Sequence, residues 1–154
     1  PAVLGAVTGA VAGLVAITPA AGYVTPMAAI AIGIVVSFVS FYSLILIKSR
    51  LKFDDSLDVF ACHGMGGIWG AIATGIFATT AVNAAGSGAV DGNWVQVLRQ
   101  LAAVGAVAGF AFAGTFIIGK FIDKTLGLRV TQVDETVGLD ISQHGERAYG
   151  GLMR

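Results

Sequence analysis

The sequence predicts an all-α membrane protein with four transmembrane helices and a polar C-terminal tail. Three observations lead there. Hydrophobic residues make up 56% of the 154 and charged residues 12%, about half the ~25% usual for globular proteins. The apolar residues gather into four stretches, most of them near the ~20 residues that cross a bilayer as a helix. The loops between those stretches alternate between basic and almost uncharged, the arrangement that the positive-inside rule requires of consecutive spans. A soluble helical bundle can share the periodicity but not this alternation.

Composition removes other classes. Nine Lys+Arg balance nine Asp+Glu, whereas a nucleic-acid partner calls for a basic excess. A mean hydropathy of +0.84 is incompatible with a disordered chain. Cys62 is the sole cysteine, so a disulfide scaffold is not expected. The apolar run starts at once after Pro1, with no basic n-region or cleavage site before it, so a signal peptide is not expected. Pro1 reads as a cut or processed end, and the chain as part of something larger.

The first span covers about residues 2–17 and stops where Pro19 disfavours helical geometry at Thr18. Gly5, Gly9 and Gly13 recur every four residues, and should put bare backbone on one face for a neighbouring helix. The second span covers about 26–47, with Thr25 as N-cap and Pro26 at the first helical position. Its Phe38, Phe41, Tyr42 and run of Ile and Leu predict the largest lipid-facing surface of the four. A charged loop from Lys48 to Asp55 follows. The third span covers about 58–78, with Asp55 or Ser56 as cap. Gly66, Gly67, Gly70, Ala71, Thr74 and Gly75 make overlapping small-xxx-small pairs, so it should be the most tightly packed. The fourth span covers about 94–123, longer than one bilayer needs, and should tilt or protrude. Trp94 suits the headgroup belt, Arg99 and Lys120 can snorkel to the two interfaces, and Gly127 is a helix stop.

Residues 1–126 thus form the membrane region and 127–154 the tail. Lys48, Arg50 and Lys52 make one loop basic, and Lys120, Lys124 and Arg129 make the region after the last span basic. The loop between the first two spans carries no charge and that between the last two only Asp91. A multi-pass protein of the cell membrane with a cytoplasmic C-terminus is the expected result.

One ionisable side chain stands out at depth. His63 lies about five residues into the third span, roughly 7 to 8 Å inside Asp58. Such residues usually face a cavity or pathway, and a neutral imidazole offers one donor and one acceptor without a fixed charge. Three roles stay open from the residues alone. His63 can be a packed residue bonded to a neighbouring helix, a pore or proton-handling group, or a haem or proton-relay ligand in a membrane subunit of a redox complex. A structural fragment that transports nothing is a further alternative. No metal or cofactor is expected. Cys62 and His63 are adjacent and point about 100° apart on a helix, and Asp54, Asp55 and Asp58 read as charges favoured at a helix N-terminus. No phosphate loop and no nucleophile–base constellation is present, so the chain does not read as an enzyme.

Longer motifs carry a resemblance. The stretch Asp58-Val-Phe-Ala-Cys-His63-Gly-Met-Gly-Gly-Ile-Trp-Gly-Ala-Ile-Ala-Thr-Gly-Ile-Phe77 resembles the tenth helix of ammonium transporters of the Amt/Mep/Rh family. Ala12-Gly-Leu-Val-Ala-Ile-Thr-Pro19-Ala-Ala-Gly-Tyr-Val24 is similar to that family's junction between helices eight and nine. Gly127-Leu-Arg-Val130, Gly138-Leu-Asp140 and His144-Gly-Glu146-Arg-Ala-Tyr149 are similar to its cytoplasmic C-terminal region. The resemblance implies helices eight to eleven of an eleven-helix bundle that assembles as a homotrimer, each subunit with its own narrow apolar pore for ammonium/ammonia. His63 matches the second of two pore histidines, and Val59 a position on the pore wall. The first histidine and the cation-recruiting aromatics belong to helices this sequence does not contain. In the tail, where Asp140 and Gln143 fit a capping box for one short helix ending near Gly145, the resemblance implies contacts between subunits. It also implies contacts with a nitrogen-regulatory PII protein, for which Asp140, Glu146, Arg147 and Tyr149 are the candidate residues. His144 reads as a surface residue.

Overall fold

Four long apolar helices organise the computed structural model, which describes residues 3–148. The elements run α1 (Val3–Ile17), a 3-10 turn (Thr18–Ala20), α2 (Pro26–Ile45) and a π-helical segment (Leu46–Leu51). A second π-helical segment (Phe60–Met65) leads into α3 (Gly66–Phe77). A 3-10 turn (Ala89–Asp91), α4 (Val95–Thr125), α5 (Gln132–Val137) and α6 (Leu139–Ser142) follow. No strand occurs among the described residues. The chain divides between Ala108 and Gly109 into two compact units.

In the first unit, α1, α2 and α3 enclose a core of Ala12, Ala16, Ala20, Ile32, Val36 and Ala73, with Ile17, Val24, Trp69 and Phe77 against it. Alanines at i, i+4 and i+8 give α1 one smooth buried stripe, and the closest approach is made there. A Cβ on Gly70 would stand 3.0 Å from both the Cα and the carbonyl carbon of Ala16. Trp69 Nε1 donates to Ile32 O at 3.1 Å, tying α3 to α2. Thr25 caps α2 as its residue type predicts, accepting from Ala28 N at 3.3 Å.

The structure adds detail to three expectations. Gly5, Gly9 and Gly13 meet nothing within 4 Å among the described residues, so the face of α1 that packs within this chain is a different one. Gly13 follows Ala12, so the glycine stripe is turned about 100° from the alanine stripe that packs. Within this chain α2 is not the least buried helix. It buries Ile32, Val36 and Ser40, whereas α4 buries no residue along its length. The charged run after the second span is not all loop either. Helical structure continues to Leu51, and Lys48 and Arg50 occupy its last turn, where the dipole favours cations. Lys52 ends it in the left-handed region at φ 52°, its N–H donating to Ile47 O. The tight packing expected of the third span is present: Gly66, Gly70, Ala73, Thr74 and Gly75 are all buried.

In the second unit, the N–H groups of Leu126 and Gly127 both donate to Ile122 O, and Gly127 turns the chain at φ +80°. The tail forms two short helices instead of the single one expected. Thr131 caps α5, accepting from Asp134 N at 3.3 Å. The N-cap of α6 is Gly138, with no side-chain cap, so Asp140 lies inside the helix and makes no capping box.

Candidate functional site

The approach to α3 is built by three charged residues and two backbone irregularities. Asp55 accepts from Val59 N at 2.9 Å through Oδ1 and from Phe60 N at 2.8 Å through Oδ2. One carboxylate thus satisfies two of the donors a helix start leaves open, and Asp55 rather than Ser56 is the cap. Those two N–H groups, Phe60 first and Val59 second, hold the Asp55 carboxyl below its ordinary value. Asp58 adopts φ 56°, a left-handed conformation uncommon outside glycine. Its carboxylate meets Lys48 Nζ, from the end of the α2 helix, at 2.6 Å. Its carbonyl accepts from Cys62 N at 3.0 Å, so the helical ladder starts from this residue.

His63 lies in the π-helical segment, a rare geometry that recurs at functional sites. Ala61 and Cys62 take the buried side of the segment, and His63 is exposed with no side-chain hydrogen bond among the described residues. Val59, four residues earlier, is half exposed. An open recess beside it is lined by Phe53, Asp54, Asp55, Val59, Phe60 and Gly64; His63 does not line it. A Cβ on Gly64 would stand 3.0 Å from the half-exposed Phe60 ring, which would have to shift to admit it. Val59 and His63 thus share a short stretch of helix whose start is fixed by Asp55 and Asp58. The imidazole can accept and donate a hydrogen bond toward a small polar solute while the surrounding groups remain apolar.

Lys48 and Asp58 were not singled out as a pair in the sequence. The only signal is opposite charge at the two ends of one charged run. Among the described residues no three His, Cys, Asp or Glu side chains gather to hold a metal ion.

The tail residues lie in the second unit. Asp140 Oδ2 accepts from Ala148 N at 3.0 Å, and Asp140 O accepts from Glu146 N at 3.0 Å. Asp140 therefore folds residues 146–148 back on α6, and the Ala148 N–H is the main cause that lowers its carboxyl from the usual value. Glu146, Arg147 and His144 are exposed. Tyr149 lies outside the described residues. Arg129 Nε donates to Glu135 Oε1 at 2.7 Å across the start of α5.

The Ammonium Transporter Family profile matches residues 1–149. The chain is 51% identical over 154 residues to the ammonium transporter of Bacillus subtilis, covering 99% of this chain and 38% of that protein. It is 46% identical to ammonium transporter Amt1 of Archaeoglobus fulgidus, covering 97% of this chain and 38% of that one. Among solved structures, Candida albicans Mep2 superposes with a TM-score of 0.75 at 39% identity, over 82% of this chain and 29% of that chain. Saccharomyces cerevisiae Mep2 gives a TM-score of 0.72 at 36% identity, over 77% and 30%. The chain spans less than two-fifths of the length of these relatives.

Proposed function

This chain belongs to the ammonium transporter family, and from that premise we propose that it is the part of a transporter pore that carries the second pathway histidine. On this reading α1 to α4 are helices eight to eleven of an eleven-helix bundle. The remaining helices supply the first histidine and the mouth that recruits the cation. Three such bundles form a homotrimer in the cell membrane, with the tail on the cytoplasmic side. The substrate is ammonium/ammonia. Asp140, Glu146, Arg147 and Tyr149 belong to the surface that meets a neighbouring subunit or a PII protein.

The observation that carries the reading is the state of His63. It is an ionisable side chain inside a membrane-crossing helix, in a stretch that the family profile matches, and within this chain it does not lie on the side taken by the buried Ala61 and Cys62. The physical logic of transport follows. Ammonium and potassium are close in size, so size separates them poorly. An apolar path makes any cation lose its water, at a large cost in free energy. Ammonium can leave its proton and pass as a neutral molecule that still hydrogen-bonds; potassium cannot. A neutral imidazole offers that molecule an acceptor and a donor, with Val59 keeping the adjoining wall apolar.

The test is His63→Ala in the full-length transporter, reconstituted into vesicles. Ammonium-driven flux should fall by about tenfold or more, or potassium should begin to pass, corresponding to roughly 1.4 kcal/mol per tenfold. Unchanged flux together with unchanged potassium rejection would refute the reading.

A further inference from the structure

An ion pair links the first π-helical segment of the described chain, Leu46–Leu51, to the entrance of the second, Phe60–Met65. Lys48 sits within the first. Asp58 stands two residues before the second, and its carbonyl accepts the N–H of Cys62, next to His63. Asp58 also holds the left-handed backbone that starts the segment. Strained backbone of this kind persists only where its surroundings hold it, and the Lys48 ammonium at 2.6 Å is the side-chain partner that does so.

The register of the segment matters for what it carries. Slipping the start of the segment by one residue would swing the side chains within it, ahead of the packed Gly70, by roughly a quarter turn. His63 would then turn toward the side now occupied by Cys62, which is buried. The Asp55 cap does not prevent this alone, because its two oxygens hold the N–H groups of Val59 and Phe60 but do not tie them to any other helix. Gly70 against Ala16 and Trp69 bonded to Ile32 anchor α3 further along, and Lys48, reaching across from the end of the α2 helix, adds the tie at the start of the segment.

We infer that Lys48 and Asp58 are positioning residues for His63: their ion pair locks the π-helical register that points the imidazole away from the buried side. Its meaning for transport rests on the pathway reading of His63. The positioning itself is tested separately. The full-length transporter is labelled with 15N-histidine in lipid bilayers, and the His63 ring signal is assigned through His63→Gln. Asp58→Asn keeps the shape and a residue that tolerates positive φ. Lys48→Met keeps the stem without the charge. Both should move the His63 ring resonances and lower maximal ammonium flux by about tenfold, with half-saturation unchanged. Lys48→Arg should restore both. Ring resonances that stay at their parental positions in Asp58→Asn and Lys48→Met would overturn the inference, including where the yield of folded protein drops. If the ring moves but His63→Ala leaves flux intact, the positioning stands and the pathway reading falls.

Discussion

The segment Phe60–Phe77, which ends in α3, and helix α4 are both apolar enough to cross a bilayer, and within this chain they do opposite things with their surfaces. Helix α3 buries five of its twelve residues; α4 buries none of thirty-one. Glycine alone does not explain it, since both helices carry several. The difference is where each glycine stands. On α3, Gly70 lies under the Ala16 backbone, and Gly75 is so close to α4 that a Cβ would reach Val97 Cα at 3.0 Å. On α4, Gly105, Gly109 and Gly114 meet nothing within 4 Å. Hydropathy therefore reports which segments can enter lipid. Which segments meet one another depends on small residues placed opposite a second flat surface.

Substitutions on the two helices should separate along this line. The largest effect belongs to Gly70→Ala. The added methyl meets fixed backbone at Ala16, so thermal unfolding in detergent should show a loss of about 3 kcal/mol or more. A parental melting point would mean that α1 and α3 do not press together there. A smaller effect separates the ways the two helices begin. The Asp55 carboxyl is held below its usual value by the N–H groups of Phe60 and Val59. Its contribution is therefore complete above the ordinary carboxylate range and lost as pH falls through the lowered value. The start of α4 rests instead on the carbonyls of Asn93 and Trp94, which do not titrate. Asp55→Asn should lower stability at neutral pH and flatten its decline below about pH 4; an unaltered profile would show that the cap carries no weight. The smallest effect has the opposite sign. Gly105→Ala adds a methyl in open space within a helix, and should raise stability by about 0.5–1 kcal/mol. A loss there would show another helix seated on that face.

Much of the fold is legible in the sequence, for a physical reason. A bilayer demands long apolar runs, and such runs cannot be disguised. Thr25 and Gly127 are equally readable, because capping chemistry is local. Small residues at α3 match its packing, whereas the same spacing on α1 finds nothing opposite Gly5, Gly9 and Gly13 among the described residues. That depends on a partner surface no single segment encodes. The candidate site was half legible. His63 is conspicuous by chemistry, and Asp55 by position. The π-helical geometry was not, because one extra residue per turn leaves composition and hydropathy unchanged. The Lys48–Asp58 pair was hidden as well, since it depends on the backbone reversal at Asp58.

The membrane segment ending in α3 has a further consequence for the lipid around it. From Phe60 to Phe77 it is 18 residues long. Even at the full α-helical rise of ~1.5 Å that is about 27 Å, and a π-helical stretch is wound more loosely still. The hydrocarbon layer is about 30 Å thick. The segment is therefore slightly shorter than that layer is thick, a mismatch that tilting cannot relieve. The 31 residues of α4 exceed the same thickness, and tilting can take up the excess.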